Sequence, residues 1–398
     1  MSAARPSEGA RPLLREGEGE AAPAASLGVV HPSAARPSEG ARPLHQEGVG
    51  EAAPAASPGE VNPSAAGGPA ISVIVPVYNG EAVLARSLAP LATFAVDGEI
   101  AELIVVDDGS TDASAWIAAQ AGARVVPSGG RLGPGGARNR GAEIAKGDVL
   151  WFVDADVVVH ADAARVLADA LARTRAAAVF GTYDEFPAAT NFLSQYKNLA
   201  HRHHHVRSER AAETFWAGCG AVRADAFWSV GGFDAERYPL PSIEDIELGV
   251  RLRERGHAIL IEPGLQGRHL KAWHFASLLR TDIVQRAVPW TRLMRERPSR
   301  ATLNVSFRER LRALLAWVLA AALVVALAGK GSFALVLALV VAAIAANAHL
   351  FGLFARTNGV PFALGAILFH QFAYLYASAA YVACRLGWSP DRPRPSRS

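Results

Sequence analysis

Cysteine is nearly absent: the 398 residues hold two, Cys219 and Cys384, in unlike surroundings. Two distant cysteines supply neither a disulfide framework nor a zinc-ligand spacing, and a reducing compartment is the simpler expectation. The formal charge is only +3, and no basic stripe with interleaved aromatics occurs, so nucleic acid is not expected as a partner. Met1 is followed by Ala, Pro, Glu and Arg without an apolar core, so no signal peptide is expected. What the chain has in excess is apolar residues, 51% by count, and they are unevenly spread. Its length allows more than one domain.

Three regions differ in their physics. Residues 1–68 carry Ser2–Leu13 again as Ser33–Leu44, a period of 31 residues, with Ser64-Ala65-Ala66 opening a third copy. These units lack the large apolar residues a solenoid would need, and Ala, Pro, Gly and Glu cannot offset chain entropy. A disordered tail is expected there, with a coding start placed too far upstream as the alternative. Residues 69–268 alternate strand and helix signals, which predicts an α/β domain with a mostly parallel sheet covered on both faces. Strands are expected at 71–77, 103–106, 123–126 and 149–153, and Leu84, Leu88 and Leu91 share one helix face.

The last third predicts transmembrane helices over 313–385. Uncharged runs of 17, 25 and 28 residues lie at 313–329, 331–355 and 357–384. About 20 apolar residues span a hydrocarbon core, so the first is marginal and the others sufficient. Seven Arg against two Glu in 292–312 place that flank on the cytoplasmic side. Three spans would put the C-terminus outside, yet the basic tail 386–398 argues otherwise, so one segment is expected to be interfacial or re-entrant. Between sheet and spans, 269–312 mixes Trp273, Phe275, Leu278, Ile283 and Trp290 with Lys271, Arg280 and Arg286. That pattern suits an amphipathic helix in the interface or one packed on the domain.

Asp154 and Asp156 stand where the apolar run Val149–Val153 ends. Acids at a strand's carboxyl edge sit where open α/β sheets bind ligands, and Mg²⁺ or Mn²⁺ prefers oxygen ligands while leaving positions for phosphates. A plain surface pair is the alternative. Asp107-Asp108-Gly109-Ser110 ends another strand and reads equally as a turn. The loop at Gly133 fails the Gly-x-Gly-x-x-Gly fingerprint, because Arg138 takes the third place. What remains is a loop-to-helix entry suited to an anion, with Arg138 as cationic partner or as part of a solvated face. Glu244 and Asp245 open a helix, either as first-turn charges or as a carboxylate able to take a proton.

These motifs together resemble family 2 glycosyltransferases of the GT-A, Rossmann-like fold. The resemblance is carried by Ser72–Asn79, Val105–Asp112, Gly136–Gly141 and Asp154-Ala155-Asp156, in the family's order. It implies a nucleotide-diphosphate sugar as donor, with Pro76, Tyr78 and Asn79 beside the nucleotide. Asp107 is then the acid on the base, Asp108 its neighbour, and Arg138 lies near the diphosphate. Asp156 would ligate the metal with Asp154 in support, and His269 after the last core strand would be a further ligand, with His274 as fallback. Gly218 and Gly220 would lie against the donor sugar, a packed core turn being the alternative. Asp245 would be the base and Glu244 its neighbour near the acceptor.

A membrane-anchored inverting glycosyltransferase is therefore expected, acting on a lipid or lipid-linked acceptor. Its place would be the inner cell membrane, multi-pass, with the catalytic domain in the cytoplasm. The run His201–His205 cannot direct every ring at one ion and is expected to be solvated or acceptor-side. Processive synthases carry Gln-x-x-Arg-Trp, whereas Gln285–Trp290 departs from it, which counts against a polymer-extruding synthase. A non-catalytic nucleotide-sugar-binding membrane protein is the other alternative, and a transporter the weaker one.

Overall fold

Strand formation follows the apolar runs closely. The computed structural model describes residues 68–297 and 306–388, so the repeats and most of the basic C-terminal tail lie outside the described residues. The chain runs β1 (Ile71–Val77), α1 (Glu81–Val96), β2 (Glu102–Asp107), α2 (Ser114–Gln120), β3 (Arg124–Pro127), α3 (Gly133–Ile144), β4 (Val149–Val153) and β5 (Val157–Val159). There follow α4 (Ala163–Arg173), β6 (Ala178–Tyr183), α5 (Phe192–Arg207), β7 (Ala211–Ala212), β8 (Cys219–Arg223), α6 (Ala224–Ser229), α7 (Glu244–Glu254) and β9 (Ile259–His269). After the sheet come α8 (Phe275–Arg280), a π-helical stretch Thr281–Ala287, α9 (Val288–Glu296), α10 (Phe307–Leu327), α11 (Phe333–Ala346) and α12 (Ala348–Arg385).

The strand order is β3-β2-β1-β4-β8-β6-β9-β5, with β7 on β9. The expected parallel sheet is present from β3 to β4. Beyond it β8 runs antiparallel to both β4 and β6, while β6 and β9 pair in parallel, so the whole sheet is mixed. Side chains alternate between two cores: Val73 and Trp151 face α1 and α4, Ile74 and Phe152 face Phe227 and Leu248. Burying one such side chain contributes about 1.5–3 kcal/mol. Leu84, Leu88 and Leu91 are buried on α1, as their spacing predicts. The parallel register sets Val77 beside Asp107 and Ile74 beside Phe152, so β1, β2 and β4 end at one edge.

β9 runs from Ile259 to His269, and a register shift opposite Gly181 absorbs Pro263 and Gly264. Two expectations are revised. Gly220 lies not in a turn but in strand β8, whose backbone pairs with β4 and β6, and Gly218 immediately precedes that strand. The uncharged run 331–355 is not one span, because α11 stops at Ala346 and Asn347 separates it from α12.

α11 has 14 residues, about 21 Å at 1.5 Å per residue, against a hydrocarbon core of ~30 Å. Helices α10 and α12 are long and apolar enough to cross a membrane by length and composition. Only 11% of the most apolar window of α10 is buried, unlike a soluble core helix. α12 is broken at Gly359, whose φ of 83° and ψ of 167° are not helical. Beyond this break it is fastened to the α/β portion. Phe362 and Phe369 pack on Phe192, and Tyr376 Oη donates to Asp282 at 2.7 Å.

Candidate active site

The edge where β1, β2 and β4 end opens into a cavity of about 550 Å³. Pro76, Tyr78, Asn79, Asp108, Arg138, Asp154, Asp156, Glu244, Asp245 and His269 all line it, so most residues singled out from sequence meet in one place. Asp107, Gly218 and Gly220 do not line it. Asp107 Oδ1 accepts from Ser110 N at 3.0 Å and so closes the turn after β2. A Cβ on Gly218 would stand 2.5 Å from the Trp216 ring, and one on Gly220 2.3 Å from the Trp216 carbonyl oxygen. These glycines serve close packing of β8, and it is Trp216, Phe215 and Thr214 that face the cavity.

At the nucleotide end, Asp108 is buried and accepts from Leu132 N at 2.8 Å and Gly133 N at 2.9 Å. It thereby ties the end of β2 to the loop entering α3. Asn79 adopts φ 49°, and its side chain accepts from Thr111 N at 2.8 Å, lacing the first two strand-end loops together. Tyr78 lies beneath the Arg131 guanidinium, 3.5 Å from the ring centroid. Arg131 was missed in the sequence. A cation over an exposed ring offers a flat π surface at the cavity mouth.

Arg138 organises the centre. It is 4% exposed and donates from Nη2 to Asp154 at 2.6 Å and from Nη1 to Glu244 at 3.1 Å. Burial alone would lower its pKa, but the two carboxylates outweigh that and hold it raised. α3 and α7 are thus joined through one guanidinium to the end of β4, a geometry suited to bidentate pairing. Glu244 also accepts from Ser242 N at 2.9 Å, so its oxygens are already engaged.

Asp245, unlike Glu244, is held by backbone amides rather than by a cation. Its carboxylate accepts from Ala217 N at 3.2 Å and from its own neighbour Ile246 N at 2.8 Å. Burial, then the charge of Glu244, pushes its pKa up to about 7, against the pull of Arg138. A carboxylate poised there suits proton transfer at neutral pH.

Asp156 Oδ2 lies 3.5 Å from His269 Nε2. Burial would raise Asp156, but the hydrogen bond from His269 and the charges of His269 and Lys271 lower it. Asp154 is raised by burial and by Asp156, with Arg138 opposing. Among the described residues no group of three His, Cys, Asp or Glu is gathered at metal-ligating spacing. The donor set still fits a hard cation at Asp156 and His269: an oxygen and an imidazole nitrogen side by side. Asp154 has Arg138 in that place. His274 does not line the cavity and caps α8 instead.

The opposite wall is helical, and sequence reasoning found little of it. His201 and His205 on α5 stand against Trp216 at ring distances of 4.9 and 5.4 Å, and Tyr183 stacks on His269 at 4.3 Å. Burial lowers His201 well below the usual range, with Arg286 adding to it, and burial puts His205 at about 4 against the pull of the Gly181 carbonyl. Of the two expectations for this run, solvated or acceptor-side, these two rings are not solvated but line the cavity. Lys197, ion-paired with Asp282, also faces the cavity, and Gln285, Arg286 and Trp290 form its roof. The segment after β9 is thus packed over the site, with Leu278, Val288 and Leu293 buried.

Residues 72–231 match the family model described as Glycosyl transferase family 2. A validoxylamine A glucosyltransferase of Streptomyces hygroscopicus subsp. limoneus is 30% identical over 229 residues, 47% of this chain and 49% of that protein. The glucosyl-3-phosphoglycerate synthase of Mycobacterium tuberculosis is 39% identical over 101 residues, 23% of this chain and 30% of that protein. The chain therefore spans half or less of the length of these relatives. A solved mannosyltransferase from Pyrobaculum calidifontis, in complex with GDP-Man and Mn²⁺, superposes with TM-score 0.43 at 18% identity. That overlap takes in 83% of this chain and 90% of the other. The match to the family 2 glycosyltransferase model takes in the stretch that holds the strand-end acids Asp108, Asp154 and Asp156.

Proposed function

We propose that the protein transfers a sugar, with inversion, from a nucleotide-diphosphate sugar to a lipid or lipid-linked acceptor at a membrane, with the catalytic domain on the cytoplasmic side. The observation that carries this reading is Asp245, with its pKa near 7, opening onto the same cavity as Arg138, Asp154 and Asp156. The nucleotide lies along Pro76, Tyr78 and Asn79, with Asp108 shaping the loop beside it. The acceptor hydroxyl attacks the anomeric carbon and its proton passes to Asp245. The bond from that carbon to the diphosphate oxygen breaks, and the electron pair leaves with the diphosphate. Glu244 holds Arg138, and Arg138 keeps Asp154 oriented at the donor end. A Mg²⁺ or Mn²⁺ held by Asp156 and His269, with Asp154 beside them, would supply charge neutralisation to the departing diphosphate.

Support for a membrane acceptor is physical. The helices that roof the cavity are the ones to which α12 is fastened, and α10 leaves Leu314, Val318 and Val325 exposed. Apolar surface of that extent suits lipid. The test is transfer by the purified full chain, offered a panel of nucleotide sugars and membrane lipid extract, followed by mass spectrometry of the lipids. Asp245→Asn is expected to lower turnover by about 10²–10⁴. Equal rates would remove the base, and sugar bound without transfer by either protein would favour a binding protein.

A further inference from the structure

The histidine run on α5 divides between two cavities. Lys197, His201 and His205, at four-residue steps, face the transfer cavity. His203, His204 and Arg207 line a second cavity of about 530 Å³ on the other side of the helix. Its opposite wall is the base of α10 and the junction of α11 with α12, where Arg308, Arg312 and His349 contribute. Arg308 and Arg312 immediately precede the uncharged run that starts at residue 313. The cavity therefore lies at the level where the apolar surface of α10 begins, the depth of lipid headgroups if α10 enters a bilayer.

Its charges are unevenly satisfied. Arg312 is paired with Glu309, which also accepts from Tyr374 Oη at 2.7 Å. Arg207 and Arg308 are exposed and pair with no carboxylate among the described residues. Glu209 stands exposed at the same cavity. His203 is pushed down to about 4 by burial and then by His204, so the positive charge comes from the arginines. Further in, His370 lines the cavity with 7% of its surface exposed; its Nδ1 is hydrogen-bonded to Tyr196 Oη at 2.6 Å, while Nε2 has no partner. A buried nitrogen left without a partner costs stability unless another group meets it.

We infer that this second cavity is a binding site for a phosphate group, gripped by Arg207 and Arg308 with His370 at its inner wall. Arginine matches phosphate oxygens in forked geometry and stays charged at any working pH. The position at the foot of α10 makes an anionic phospholipid headgroup the natural source, and soluble phosphate the other. No residue lines both this cavity and the transfer cavity, so binding is read without any assay of sugar transfer.

The experiment uses the full chain in detergent. Native mass spectrometry reads retention of phosphatidylglycerol against phosphatidylcholine, and titration calorimetry reads inorganic phosphate. The expected result is preferential retention of phosphatidylglycerol, weakened about tenfold by Arg207→Ala with Arg308→Ala. Arg310→Ala, on the same helix but outside the cavity, should bind as wild type does. Arg308→Glu alone should also weaken binding, which guards against a double variant that folds poorly. If inorganic phosphate binds with the same arginine dependence and the lipid does not, soluble phosphate is the source. Binding of neither, or undiminished binding by both arginine variants, overturns the inference.

Discussion

One wall of the transfer cavity is made of strand ends, the other of helices that return from far along the chain. The strand-end wall holds Asp108, Asp154 and Asp156, whose places are fixed by parallel pairing of β1 with β2 and β4. The helical wall holds Lys197, His201, Arg286 and Trp290, brought in by α5 and by the π-helical stretch and α9 after the sheet. Strand ends place short acidic side chains rigidly at an edge, which suits a diphosphate only through a cation between them. Helices broken by a π-helical stretch give a looser and more aromatic surface, which suits an acceptor. The comparison predicts that the two walls fail differently.

The largest effect is expected at the joint between them. Arg138→Ala leaves Glu244 buried and Asp154 half-buried without their cation, at a cost of up to about 3–5 kcal/mol. Thermal melting should fall sharply and donor binding should be lost; a variant that melts and binds donor like wild type would mean the guanidinium joins nothing. Next come Arg286→Ala and Trp290→Ala on the roof. These should raise the acceptor KM by about tenfold while leaving donor affinity intact. Equal losses of donor and acceptor would erase the division between walls.

A smaller effect is expected at the break in α12. Gly359→Ala forces a side chain onto a backbone with φ of 83°, costing about 1 kcal/mol or somewhat more. The melting temperature should drop by a few degrees with donor affinity unchanged, and a rise would argue that α12 is continuous. The smallest effect belongs to Arg131→Ala, which removes the cation over Tyr78. A loss of about 0.5–1 kcal/mol in donor binding is expected, read by calorimetry.

The strand-end wall was largely legible in the sequence because its signals are local. Val149–Val153 reads as a buried strand and Asp154 follows directly, while Leu84, Leu88 and Leu91 mark the covering helix. Even there the sequence does not tell which of Asp107 and Asp108 lines the cavity: Asp108 does, held by the Leu132 and Gly133 amides across the cleft. The helical wall was illegible for the converse reason. His201 and His205 look solvated in a run of polar rings, and only the packing of α5 on Trp216 turns them inward. Gln285, Arg286 and Trp290 depart from a known spacing, yet the π-helical stretch and the start of α9 bring all three to the cavity. In the apolar third, counting charges missed the break at Asn347, an uncharged residue whose side chain donates to Ala343 O at 3.1 Å.

The claim that most depends on the tertiary arrangement is that Asp245 accepts the acceptor's proton from a pKa near 7. A carboxylate raised to that value must lose its proton to act, so turnover should climb with pH through about 7 and level off above it. Measured from pH 5 to 9 at saturating donor and acceptor, wild type should show that rise, and Asp245→Asn should run flat at a rate lower by about 10²–10⁴. A wild-type profile already level from pH 5 upward, or an Asp245→Asn enzyme that retains the rise, would contradict the account.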